Sequence, residues 1–317
     1  MGKTSRRTRS PGRIAHGVLL IDKAQGCSSF DVIRDLRRST QVKKMGHTGT
    51  LDPMATGLMV ICVGEGTKLV PYLTADDKSY EAEVTFGVAT DSYDAEGEVT
   101  QRDDLAMLTP LHLSQVEEAL SSFLGMQEQT PPAFSAIRVN GERLYEKARR
   151  GEVVEVPTRT VTFHTLELLD FLPATTETPL PKARLRVKCS KGTYIRSLAA
   201  DLGARLGVSA HLTMLRRTAA GSFKIADASP VESVTSETLD DQLLSLVEAL
   251  PHVPLISLSP EETHEIRLGR SLPLPQSFTA TDDLSLCRGQ SPAGELIALL
   301  TLRDDRLKVL RGFNCQV

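Results

Sequence analysis

No stretch of this 317-residue chain approaches the ~18 consecutive apolar residues of a membrane-spanning helix. Its five cysteines, Cys27, Cys62, Cys189, Cys287 and Cys315, are scattered singly with no Cys-x-x-Cys pair. That argues against a zinc site or a disulfide framework and for reduced thiols, hence a cytoplasmic protein. There is no dinucleotide fingerprint and no Walker loop. GEGTK at 64–68 lacks the phosphate-loop spacing and reads as a turn into a short helix from Thr67. Asp91 and Asp94 have neither a His or Cys beside them nor calcium-loop spacing, so no metal is expected. The N-terminal arginines have no apolar core behind them, which sets that tail apart from a secretory signal.

What remains is ordinary globular composition, 40% hydrophobic and 24% charged, in a chain long enough for more than one domain. The net charge of −3 argues at first against a nucleic-acid partner, but its distribution does not. Residues 1–16 carry five bases and no acid, whereas 225–250 carry six acids and no base. The acidity therefore sits in one peripheral segment, and the basic charge accompanies the chemistry-bearing residues.

The stretch 46–57, GHTGTLDPMATG, holds three glycines, one proline and one acid, Asp52. Glycine permits close backbone approach by a ligand, and Pro53 fixes its own φ while keeping Asp52 out of helical geometry. Asp52 is expected on a stiff loop with its carboxylate held in one direction. Before it, GVLLID at 17–22 reads as a buried strand. Ser28 and Ser29 then cap a helix with Phe30, Ile33 and Leu36 inward. After it, 57–64 reads as another buried strand. Residues 78–86, KSYEAEVTF, alternate cleanly from Tyr80 onward. Ser114 to Glu117 reads as a capping box of a helix ending at Gly125. In 182–190, Lys182, Arg184, Arg186 and Lys188 alternate with apolar residues, giving one core face and one row of positive charge. KGTYIR at 191–196 then opens a helix ending near Gly207, and 231–250 reads as an acidic helical segment. Ser259 to Glu262 is a further capping box. The pattern by itself supports an α+β class.

GVLLIDKAQGCSS, GHTGTLDPMATG, KSY and CSKGTYIRSLAADLG resemble, in order, the motifs of the TruB-type tRNA pseudouridine synthases. Ala24 stands where the first motif usually has proline. The resemblance covers about 16–225. It implies a mixed, mostly antiparallel sheet with a cleft across it in a catalytic domain at 16–250, an RNA-clamping insertion at 129–159 and a small PUA-like β-rich domain at 251–317. Residues 1–15 remain a basic tail. The insertion carries Arg138, Arg143, Lys147, Arg149 and Arg150 with Phe134 and Tyr145 interleaved, which suits RNA.

For function, the resemblance implies isomerisation of uridine 55 in the tRNA T loop, with no cofactor and no metal, by a monomer. It makes Asp52 the nucleophile, Arg196 the cation that keeps it ionised, and Tyr80 a base-stacking residue and a candidate for proton transfer. It places Lys23, Tyr194 and Leu215 among the substrate-contacting residues and makes His47 the wedge that fills the space of the flipped base. Two other classes stay open. A non-catalytic tRNA-binding or RNA-folding protein explains the basic segments but not a rigid Asp52. A glycoside-type hydrolase needs a second carboxylate that the sequence does not nominate.

Overall fold

The structure, a computed structural model, describes residues 13–134, 138–139, 142–143, 150, 156–275 and 284–315. The tail up to residue 12 lies outside the described residues, as do most of the 129–159 insertion and the side chains of Arg138, Arg143, Lys147, Arg149 and Tyr145.

The apolar runs pair as their patterns require. Gly17–Lys23 and Thr56–Val63, hydrophobic on both faces, lie antiparallel deep in the sheet. The alternating strands Lys78–Phe86 and Lys182–Cys189 pair antiparallel, with Tyr80 opposite Val187. Among the described residues the main sheet has ten strands. Its principal order is Ser229–Pro230, Gly17–Lys23, Thr56–Val63, Ala210–Ala220, Lys78–Phe86, Lys182–Cys189, Arg159–Leu172 and Gly125–Gln129. It is mixed and mostly antiparallel. Its two parallel joints are Gly17–Lys23 with Ser229–Pro230, and Ala210–Ala220 with Thr56–Val63. The second joint holds only two residue pairs, Arg216 with Thr56 and Arg217 with Gly57. Gly57 has φ of +102°, and a Cβ there would sit 2.3 Å from the Arg217 carbonyl oxygen, so this close crossing requires glycine.

The helices Ser29–Thr40 and Ile195–Leu206 cover one face of the sheet over a continuous apolar core. The strands Leu255–Ser257, Leu272–Pro273, Cys287–Gln290, Leu296–Arg303 and Arg306–Gly312 form a second, five-stranded sheet. Its Leu296, Leu299 and the nearby Phe313 pack with Val18, Leu20, Leu58, Val60 and Cys62 on the opposite face of the main sheet. The C-terminal segment therefore shares a core with the main sheet.

Four local expectations change. Phe30 is 66% exposed, because the buried stripe of its helix runs through Ser29, Val32, Ile33, Leu36 and Thr40 and leaves Phe30 off its edge. The helix Leu113–Ser121 is capped at His112, with the Gln115 side chain accepting from the His112 N–H, so Ser114 lies inside the first turn. Within 231–250 the only α-helix is Leu239–Gln242. The hydroxyls of Thr235 and Thr238 bond to nearby backbone there and compete with helix. The row of positive charge on Lys182–Cys189 is largely neutralised. Lys182 pairs with Glu83 at 2.9 Å, Arg184 with Glu81 at 3.7 Å and Arg186 with Glu167 at 2.9 Å. The acids come from the neighbouring strands Lys78–Phe86 and Arg159–Leu172, so the ladder holds the sheet rather than offering a free basic face.

Candidate active site

The loop carrying Asp52 is tied down along its length. Ser29, in the first turn of its helix, accepts from the Leu51 N–H at 2.8 Å and donates to the Leu51 carbonyl at 2.9 Å. Gly26 N–H reaches the Pro53 carbonyl at 2.8 Å. The Lys23 ammonium donates to the carbonyls of Ala24 at 2.9 Å, Pro53 at 3.3 Å and Ala55 at 2.7 Å. Lys23 is fully buried and is not among the residues lining the cleft. A lysine at the end of the first strand thereby satisfies its neighbour's carbonyl and two carbonyls of the tight turn beyond Asp52, and its donors are used there. Burial pushes its pKa down.

The Asp52 carboxylate lies 3.0 Å from Arg196 Nε, with the Asp side chain 35% exposed and that of Arg196 6% exposed. The Nε–H is not aimed at the oxygen with hydrogen-bond geometry, so the contact is an ion pair. The rest of the guanidinium is engaged: Nη1 donates to the Ser92 carbonyl at 3.1 Å and sits 3.4 Å from Asp94, and Nη2 donates to the Phe134 carbonyl at 3.0 Å. Asp94 is itself buried and accepts from Ser92 Oγ at 2.6 Å and from the Glu96 N–H at 3.0 Å. One cation thus serves two carboxylates. Burial raises the Asp52 pKa, Arg196 opposes the rise and Asp94 adds to it, so Arg196 limits the effect of burial without cancelling it.

Asp52 and Arg196 open onto a cleft of about 270 Å³ that Tyr80, Tyr194 and Leu215 also line. Tyr80 is almost fully buried. Burial pushes its phenol up against the pull of the Arg217 charge. Tyr194 caps the helix that carries Arg196, and Gln129 clamps its backbone by accepting its N–H at 2.8 Å and donating to its carbonyl at 3.0 Å. The Arg159 guanidinium stacks over the Tyr194 ring at 5.4 Å. His47 directly precedes Thr48, which lines the cleft. Burial and the Arg217 charge lower its pKa, and its Nδ1 has no partner among the described residues.

Sequence reasoning passed over Asp94 as a partner of Arg196, and over Gln129, Arg159, Lys78 and Arg217. Arg217 lies directly opposite Tyr80 across the strand pair, a relation that exists only once the register is known.

Residues 37–195 match the N-terminal domain of the TruB family pseudouridylate synthases. The chain belongs to this family. Residues 196–251 match the tRNA pseudouridylate synthase B C-terminal domain, so Asp52 falls in the first match and Arg196 opens the second. Among relatives, the tRNA pseudouridine synthase B of Shouchella clausii (strain KSM-K16) is 43% identical over 265 residues, 83% of this chain and 86% of that protein. That of Geobacillus thermodenitrificans (strain NG80-2) is 40% identical over 306 residues, 93% and 97% respectively. In a Cbf5–Nop10–Gar1 complex, a chain with 22% identity superposes with a TM-score of 0.68, covering 94% of this chain and 85% of the other. A chain from an H/ACA RNP bound to a substrate RNA containing 2′-deoxyuridine also gives 0.68, at 20% identity and with the same coverage. These two likenesses bear on the fold, which is that of the TruB family: a mixed sheet crossed by the cleft, with a β-rich C-terminal unit of PUA-like kind. No described helix is long and apolar enough to cross a membrane.

Proposed function

We propose that this chain isomerises uridine to pseudouridine in tRNA, at position 55 of the T loop, with Asp52 as the nucleophile. The observation that carries the reading is the Asp52–Arg196 ion pair at 3.0 Å, its carboxylate reaching the cleft and its guanidinium buried behind it. A carboxylate so placed can attack C1′ of the sugar or C6 of the base. The cleft admits a single nucleoside and not a helix, so the target base leaves its stack to enter. Tyr80 and Leu215 form walls against which an uracil can pack, and Tyr194 faces it from the helix start. His47, next to the cleft-lining Thr48, would occupy the space the base vacates. The reading extends to a monomer and to the cytoplasm, the latter because the five cysteines lie singly along the sequence with no Cys-x-x-Cys pair. TruB-family membership and tRNA pseudouridine synthase B relatives covering most of the chain support the tRNA substrate.

The test uses a T-arm stem-loop tritiated at C5 of its uridines. The expected result is tritium release from an intact RNA chain. Free uracil would mean hydrolysis instead, and binding without release would mean a non-catalytic RNA-binding protein.

A further inference from the structure

Among the described residues Arg217 is a buried charge without a counter-charge within ion-pair distance. It is 3% exposed, with Nε donating to the Leu58 carbonyl at 2.6 Å and Nη2 to the Gly49 carbonyl at 3.1 Å. Its Nη1 donates to no carbonyl or carboxylate among the described residues, and the guanidinium faces the Tyr80 phenol in the cleft that both line. Lys78 lines the same cleft at 8% exposure, its ammonium donating to the carbonyls of Thr74 and Asp76. Among the described residues neither cation has a carboxylate within 4.0 Å. Burial and the Arg217 charge push the Lys78 pKa down. Two buried cations whose nearest acids, Asp76 and Asp77 near Lys78, stand beyond ion-pair distance are costly to hold, and such an arrangement in a cleft points to an anion that is present during the working cycle. Gly49 keeps the approach open, because a Cβ there would come 3.3 Å from Arg217 Nη1.

The proposed reaction supplies that anion by either route. If Asp52 attacks C1′, the C1′–N1 bond breaks and its electron pair passes into the uracil ring, spread over N1, O2 and O4. If Asp52 adds to C6, the π electrons of the C5–C6 bond move to an enolate at O4, and the C1′–N1 bond then breaks with its electron pair leaving on N1. The ring then rejoins C1′ through C5, the C5 proton is lost to solvent, N1 gains a proton and Asp52 is released. Both routes place transient negative charge on the uracil carbonyl oxygens. We propose that Arg217, with Lys78 beside it, is the electrostatic stabiliser of this uracil anion and donates from Nη1 to a carbonyl oxygen of the detached or adducted base. A fixed cation aimed at developing charge in a water-poor cleft acts on the transition state more than on the bound substrate.

This inference rests on the proposed isomerisation, and the experiment separates the two. Single-turnover rates and RNA affinity are measured for the wild type, Arg217→Lys and Arg217→Met. The stem-loop carries either tritiated uridine or 5-fluorouridine, the latter followed by its disappearance from nuclease digests. Fluorine withdraws electrons and makes the ring anion easier to form. Arg217→Met is expected to slow the uridine reaction by about 10²-fold, with RNA affinity kept within about twofold. Arg217→Lys should lose less, and the Met loss should shrink several-fold on 5-fluorouridine. Equal Met losses on both substrates, no loss, or a loss confined to RNA affinity would overturn the inference. Since Arg217 also braces Gly49 and Leu58, Gly49→Ala, which crowds Nη1 from the loop side, is measured in parallel. It should show the same smaller loss on 5-fluorouridine, and equal losses count against the inference. A wild type that releases no tritium overturns the isomerase reading itself.

Discussion

Burial raises the Asp52 carboxyl above its ordinary value of 3.8, and the cation beside it is shared with Asp94. A carboxyl whose pKa is higher in the fold than in the unfolded chain stabilises the fold while protonated. That contribution is complete below the unfolded value and is lost as pH rises through the folded one. At neutral pH the ionised Asp52 therefore costs stability while it supplies the proposed nucleophile. Asp52→Asn should lower turnover by on the order of 10⁴-fold or more. Its thermal midpoint at pH 7 to 8 should equal or exceed that of the wild type, and a clear fall would contradict the raised pKa. Wild-type turnover, measured as single-turnover rate against pH, should decline on the acid side with a midpoint above 3.8, since only the ionised carboxylate attacks.

The rigidity of the catalytic loop comes from neighbouring elements, not from Pro53 alone. The helix Ser29–Thr40 pins Leu51 through one hydroxyl, and the strand Gly17–Lys23 ends in the ammonium that gathers Pro53 and Ala55. Ser29→Ala leaves a buried N–H and C=O without their partner, at a cost of about 1–3 kcal/mol. Its effect on kcat should exceed its effect on tRNA affinity, because the displaced residue adjoins Asp52 and not the RNA-facing rim. Denaturant unfolding together with single-turnover kinetics checks both; unchanged kcat would show that the loop holds its shape without this tether.

The C-terminal sheet is seated on the main sheet by apolar packing and by one acid. Glu65 accepts from Lys44 at 3.0 Å, from Lys68 and from the Asn314 N–H at 3.1 Å, and these bonds bring its pKa down to about 2 against the opposing effect of burial. Lys68 also donates to the Gly312 carbonyl at 2.8 Å and lies over the Phe313 ring. A depressed carboxyl stabilises the fold above its unfolded value of 4.5, and that stability is lost as pH falls toward 2. Glu65→Gln should cost about 1–2 kcal/mol at pH 7, less than full linkage because Lys44 is solvent-exposed. The difference from wild type in thermal unfolding should close as pH falls from 5 to below 3. A difference that persists at low pH would assign Glu65 a packing role instead.

Strand periodicity, glycine and proline placement, the Ser28 cap and one of the two expected capping boxes are local properties, so the sequence alone determined the strands Lys78–Phe86 and Lys182–Cys189 and the helices after Ser28 and Ser259. The sequence likewise singled out Asp52, Arg196, Tyr80, Tyr194 and Leu215, whose motifs are contiguous and distinctive. Tertiary structure decided what each charge meets. Register set Glu81 and Glu83 against the basic strand and brought Arg217 opposite Tyr80. Chain crossing turned Lys23 inward onto three carbonyls and gave Arg196 a second acid from 42 positions after Asp52 in Asp94. A charged side chain carries no sign of its partner in its own neighbourhood of sequence. Coulomb energy and desolvation depend on distances that only the folded chain defines.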